Sequence, residues 1–154
     1  MSLADLSSEE ISERILALVP QQKPFRFIDR IIEVDEDHIV GQYQFREDEY
    51  FYAGHFPGQP VTPGVILIET MAQIGVVSLA IYQMLKQANP ETSHVQTLFA
   101  ETEAEFHHQV LPGDLVEVRA EKIYWRRRKL KAKAGLYLAD GRLAASATLA
   151  GMGY

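Results

Sequence analysis

From Val65 to Leu85 the chain is apolar nearly all the way round a helix and carries one charged residue, Glu69. A helix with no polar face must be covered on every side, either by lipid or by other protein. Its length matches a membrane span of about 20 residues. A carboxylate in such a run costs several kcal/mol unless it is neutralised or paired, and carboxylates inside membranes are rare. Polar, strand-like sequence flanks the run on both sides. The expectation is therefore a core helix wrapped by a sheet, without membrane insertion, in which Glu69 has a reason to be buried.

The flanking sequence supplies the sheet. Residues 7–19 read as a short amphipathic helix, with Ser7 and Glu10 able to form a capping box and Ile11, Ile15 and Leu18 as its apolar stripe. Pro20 and Pro24 stop it. FRFIDRIIEV and HIVGQYQF predict two strands joined by a turn near Asp35 to Asp37. Residues 47–62 form a loop punctuated by proline and glycine, and the long helix runs from about Pro63 to Gln87. Past Asn89-Pro90 come strand-like runs at 95–101, 104–111, 115–124, 128–138 and 142–150. Helix, strand pair, long helix and strand series together predict an α+β chain, with an antiparallel sheet around one helix. A length of 154 residues with no internal linker fits one domain, 1–154.

The approach to the helix carries chemistry. Thr62 is placed to cap, Pro63 to occupy the first helical position, and the N–H groups of Gly64 and Val65 to point out of the helix end. Such an end attracts negative charge, and a glycine lets a ligand come close to the backbone, so it is a candidate oxyanion site. Gln73 falls four residues after Glu69 on the same face. Desolvation would raise the pKa of Glu69 and leave it a proton donor near neutral pH. His55, in a loop stiffened by Pro57, Pro60 and Pro63, is the natural general base. Bland alternatives exist: His55 as a turn residue, Glu69 as a structural acid paired with an arginine such as Arg30, and the prolines as a polyproline ligand. The last fits poorly, because it leads into a buried helix.

The run Gly54-His55-Phe56-Pro57-Gly58-Gln59-Pro60-Val61-Thr62-Pro63-Gly64-Val65, followed by Glu69, Met71, Ala72 and Gln73, closely resembles the 3-hydroxyacyl-acyl carrier protein dehydratases of the FabZ type. Pro24-Phe25, Asp29-Arg30, Glu49-Tyr50-Phe51, Phe106 and Val110 with Pro112-Gly113-Asp114 extend the likeness to about residues 20–150. The resemblance implies a hot-dog fold, a homodimer joining two sheets and often a trimer of dimers. It implies His55 taking the C2 proton of a 3-hydroxyacyl thioester and Glu69, from the other protomer, protonating the departing C3 hydroxyl. Gly64 and Val65 would hold the carbonyl, with Gln73 orienting Glu69 and Phe56 and Pro63 beside the substrate. The product is a trans-2-enoyl thioester. No metal or redox cofactor is implied, since the substrate arrives on the phosphopantetheine of acyl carrier protein. Glu69 stands where FabA-type isomerases usually have Asp, which favours simple dehydration. Gln21-Gln22-Lys23 replaces a usual His-Arg pair, and Glu105-Phe106-His107-His108-Gln109 replaces a segment that is usually basic. Both departures bear on carrier docking.

Net charge is −6, which disfavours nucleic acid, yet six of the fifteen Lys and Arg residues lie between Arg126 and Lys133. This run reads either as a solvated or protected edge or as a dock for the acidic carrier through Arg126, Arg127, Arg128 and Lys129. His38, His94, His107 and His108 lack metal-ligand spacing. Cysteine is absent and the N-terminus MSLADLSSEE lacks the features of a secretory signal, so the default location is the cytoplasm. Two other functions stay in view: a hot-dog thioesterase, in which the acid activates water, and a non-catalytic acyl-thioester binder.

Overall fold

The computed structural model describes residues 2–87 and 95–153; Asn89-Pro90 and His94 lie outside the described residues. After a short 3-10 turn at Leu3–Asp5, helix α1 spans Ser8–Leu18, with strands β1 at Arg30–Val34 and β2 at His38–Gln44. The central helix runs Gly64–Lys86, and then come β3 at Thr97–Phe106, β4 at Leu115–Arg126, β5 at Lys129–Leu138 and β6 at Leu143–Gly153. The strands form one antiparallel sheet in the order β1-β2-β4-β5-β6-β3. The α+β arrangement of a sheet around one helix is the one expected, in hot-dog form.

Side-chain alternation explains the wrapping. Val116, Val118 and Ala120 on β4, and Leu130, Ala132, Ala134 and Leu136 on β5, face inward and are buried, while Glu117, Arg119 and Glu121 point outward. Several inward residues are alanines, which lets the helix come close. A Cβ built on Gly75 would stand 3.0 Å from Ala120 Cβ and 3.7 Å from Ala134 Cβ. The helix is long and apolar enough to cross a membrane, but 78% of its apolar window is buried inside the protein. It is the core helix that the lone carboxylate implied.

Helix α1 follows its capping signal: Ser7 Oγ accepts from Glu10 N–H (3.1 Å) and Glu10 Oε1 from Ser7 N–H (3.2 Å). Three expectations need correction. Residues 25–29 are not strand: Gln73 takes the Phe27 N–H and the Phe25 carbonyl, Phe25 N–H donates to Gln22 O, and the bond to β2 begins at Asp29, whose N–H donates to Gln42 O. The runs 95–101 and 104–111 are one strand, β3, bent by a register shift between Phe99 and Glu101 that breaks the alternation. The central helix is also not uniform: Gln73–Ser78 makes a π turn, with Ser78 Oγ donating to Gln73 O at 2.7 Å. His38 lies between Glu33 (3.1 Å) and Asp35 (2.8 Å) at the β1–β2 turn, where hydrogen bonding to Asp35 holds its pKa up.

Gly41 sits on β2 against the middle of the helix. A Cβ there would lie 2.8 Å from Ile74 Cγ2 and 3.2 Å from the Arg30 carbonyl oxygen. Gly41→Ala is expected to lower stability by about 1–3 kcal/mol through overpacking, read as a fall in the urea midpoint with an unchanged slope.

Candidate active site

The start of the central helix differs from the expected cap in one respect. Pro63, not Thr62, is the capping position, and no side chain caps the end. Thr62 is buried, and its hydroxyl is shared with Tyr52 Oη at 2.6 Å while its N–H donates to Val110 O at 2.8 Å. These tertiary bonds outcompete a local cap. Pro63 O accepts from Ile66 and Leu67 N–H. The N–H groups of Gly64 and Val65 have no acceptor among the described residues, so the bare end is open to an anion. Val65 is 71% exposed. The ring of Phe106 lies over Gly64, and a Cβ there would meet Phe106 Cζ at 3.0 Å. A larger residue there would have to push that ring aside.

Glu69 is partly buried about one and a half turns into the helix, and Gln73 beside it is fully buried. Gln73 Oε1 accepts from Phe27 N–H at 2.6 Å, while Nε2 donates to Phe25 O at 2.9 Å and to Glu69 Oε2 at 2.7 Å. A flipped amide would set Nε2 against an N–H and Oε1 against two oxygens, so the orientation is determined. Glu69 Oε2 is therefore engaged as an acceptor, and Oε1 is the oxygen left to carry a proton. Burial pushes the Glu69 pKa above its usual 4.5, opposed by the Gln73 hydrogen bond. Arg30 is not its partner, because its guanidinium donates to Gln42 Oε1 at 2.9 and 2.8 Å. The structural ion pair considered for Glu69 is absent.

His55 is held by its own loop. Nδ1 lies 2.8 Å from Val61 O. A carbonyl can only accept, so Nδ1 bears the hydrogen, and in the neutral ring the Nε2 lone pair is free. His55 O accepts from Val61 N–H, and His55 N–H donates to Phe51 O. Phe56 stacks on the imidazole with centroids 4.1 Å apart and is 54% exposed. The backbone groups of Phe25, Phe27 and Val61 carry no side-chain signature, and sequence reasoning missed them, as it missed the Tyr52–Thr62 bond.

The chain thus brings together Glu69 with Gln73, His55 with Phe56, and Pro63 with Gly64 and Val65. No hydrogen bond or ion pair joins His55 to Glu69. Arg126, Arg127, Arg128 and Lys129 lie elsewhere, at the β4–β5 hairpin. Arg127 and Arg128 form its turn with φ of 51° and 60°, a left-handed conformation that costs non-glycine residues roughly 1–2 kcal/mol each. Arg126 stacks on Tyr124 at 4.5 Å, and Lys129 pairs with Glu101 at 2.8 Å. Met71 and Val76 are packed in the core, with Ile68 half-buried beside it.

Because Glu69 binds its proton more tightly in the folded chain than in the unfolded one, its stabilising effect is full below 4.5 and is lost as pH rises through the raised value. Relative to Glu69→Gln, the wild-type protein should lose stability over that rise. Paired urea titrations across pH check this, and parallel curves would refute it.

The FabA-like domain family model matches residues 19–148. The chain is 39% identical over 137 residues to the 3-hydroxyacyl-[acyl-carrier-protein] dehydratase FabZ of Desulforamulus reducens, covering 88% of this chain and 91% of that protein. It is 38% identical over 134 residues to the bifunctional enzyme LpxC/FabZ of Porphyromonas gingivalis, where it spans 87% of itself and 28% of the larger protein. The fold is similar to that of the dehydratase heterocomplex ApeI:P from Xenorhabdus doucetiae, with a TM-score of 0.75 at 12% identity over 90% of this chain and 89% of that one. With most of its length matched in both comparisons, the chain belongs to the FabA-like family.

Proposed function

We propose that this protein removes water from 3-hydroxyacyl thioesters carried on acyl carrier protein, giving trans-2-enoyl thioesters for fatty-acid or related acyl-chain synthesis. The observation that carries this reading is a partly buried acid whose spare oxygen is left free by a clamped Gln73. In the proposed reaction, His55 Nε2 takes the C2 proton. The charge that develops on the thioester oxygen is met by the N–H groups of Gly64 and Val65. As the C3–O bond breaks, Glu69 Oε1 gives its proton to the departing hydroxyl, the electron pair from C2 closes the double bond, and water leaves. The thioester acidifies C2 by itself, so no step calls for a metal or redox cofactor. Gln73 acts as a positioning residue, and Phe56 and Pro63 flank the thioester.

A complete site needs a second subunit. Strand β3 is a ten-residue edge, and Phe99 and Phe106 on it are 48% and 51% exposed. An unpaired edge of this length, with half-covered aromatic rings, favours strand addition. Antiparallel pairing across it would join two sheets and set one subunit's His55 against the other's Glu69; three such pairs could then form a larger assembly. The pairing also brings the β4–β5 hairpin, at the Thr97 end of β3, toward the other subunit's helix start. The exposed Arg126 and Arg127, with Arg128 and Lys129 behind them, are the residues we assign to the acidic carrier. A cytoplasmic location accompanies this reading.

With a 3-hydroxyacyl-acyl carrier protein substrate followed by mass, wild-type protein should lose water, and His55→Ala and Glu69→Gln should each lower the rate by about 10²–10⁴-fold. Release of free acid would mean a thioesterase, and binding without turnover a carrier or sensor. Arg126→Glu with Arg127→Glu should raise KM several-fold for the carrier-borne substrate, more so at low salt. The same change should leave a pantetheine thioester almost unaffected.

A further inference from the structure

The two faces of β3 are unlike. Phe99 pairs with Gly151, and Thr102, Ala104 and Phe106 with Leu149, Ala147 and Ala145, all on the helix side. On the outer face stand Glu101, Glu103 and Glu105, opposite Ala150, Thr148 and Ser146. Lys129 and Lys131 reach across to Glu101 at 2.8 and 3.3 Å. Glu103 and Glu105 have no cationic partner among the described residues, and Lys133, level with Thr148 on β6, bonds to neither. His107, just beyond the strand, is 3.5 Å from Ser146 Oγ.

A strand added to this edge, with its own helix on the same side of the sheet, must place its outward residues beside those acids, because side chains directly opposite share a face. Consider a second copy of β3 related by a two-fold axis normal to the sheet. The axis passes between two equivalent residues, so over 101–106 odd positions face odd positions in every register. Acids then meet acids. Each like-charged opposite pair weakens association by roughly 1.4- to 5-fold. Burial of Phe99 and Phe106 is open to any partner of this architecture, so charge decides between partners.

We propose that β3 is built to pair with a chain of the same architecture but different sequence, whose edge strand presents lysine or arginine opposite Glu103 and Glu105. This rests on the two-subunit site proposed above and names the kind of subunit that completes it.

Sedimentation and native mass spectrometry on the full chain, without substrate, test the proposal. Wild-type protein should self-associate weakly at low salt and more tightly as salt rises. Glu103→Gln with Glu105→Gln should self-associate on the order of 10-fold more tightly, with little salt dependence. Glu103→Lys with Glu105→Lys serves as the basic-edged partner, and its equimolar mixture with wild type should hold mixed pairs well above the roughly one half expected by chance. A wild-type pair as tight as the glutamine variant, indifferent to salt and mixing statistically, would overturn the inference. Such a pair that still dehydrates substrate would leave the catalytic reading intact. Mixed pairs without water loss would do the reverse.

Discussion

The amide of Gln73 ties the acid to the fold. One side chain accepts from Phe27 N–H and donates both to Phe25 O and to Glu69 Oε2. It thereby joins the segment before β1 to the central helix and fixes which carboxylate oxygen is free. A buried amide left with unpaired groups would cost several kcal/mol, so the three bonds stand or fall together. The acid's position is thus a property of the packed core rather than of an adjustable surface side chain.

Burial raises the pKa of Glu69, and the amide that holds the acid is itself fully buried. Farther along the same helix, alanines at 120 and 134 let the strands come close to Gly75. The helix N-terminus is left bare, because Thr62 is taken by Tyr52 and Val110. The uncapped helix end and the partly buried acid thus lie on one packed helix, as the proposed reaction requires. His55, the proposed base, is held separately, by a carbonyl in its own loop, and this independence suits the proposed division of the site between subunits.

Much of this was legible in the sequence. The apolar run around a single charge announced a covered helix, the four-residue spacing put Glu69 and Gln73 on one face, and Ser7 with Glu10 announced the start of α1. What escaped had physical reasons. Thr62 has the residue type of a cap, but a buried tyrosine claimed its hydroxyl. The break read between 101 and 104 is bridged by a continuous ladder to β6, and the one irregularity lies earlier, at Phe99–Glu101. Backbone partners such as Phe25 O, Phe27 N–H and Val61 O belong to every residue alike, so only three-dimensional placement reveals them. The acidic outer face of β3 was visible as letters, but not as a face until its register with β6 was known.

The account's central claim is that Glu69 holds a proton where an ordinary carboxylate has lost it. Infrared difference spectroscopy of the isotope-labelled Glu69 carboxyl, with Glu69→Gln as the subtraction reference, measures that proton directly. The midpoint of the protonated-carboxyl band should lie above 4.5. A midpoint at or below 4.5 would mean that Glu69 titrates no higher than an ordinary carboxylate and holds no proton that such a group has lost.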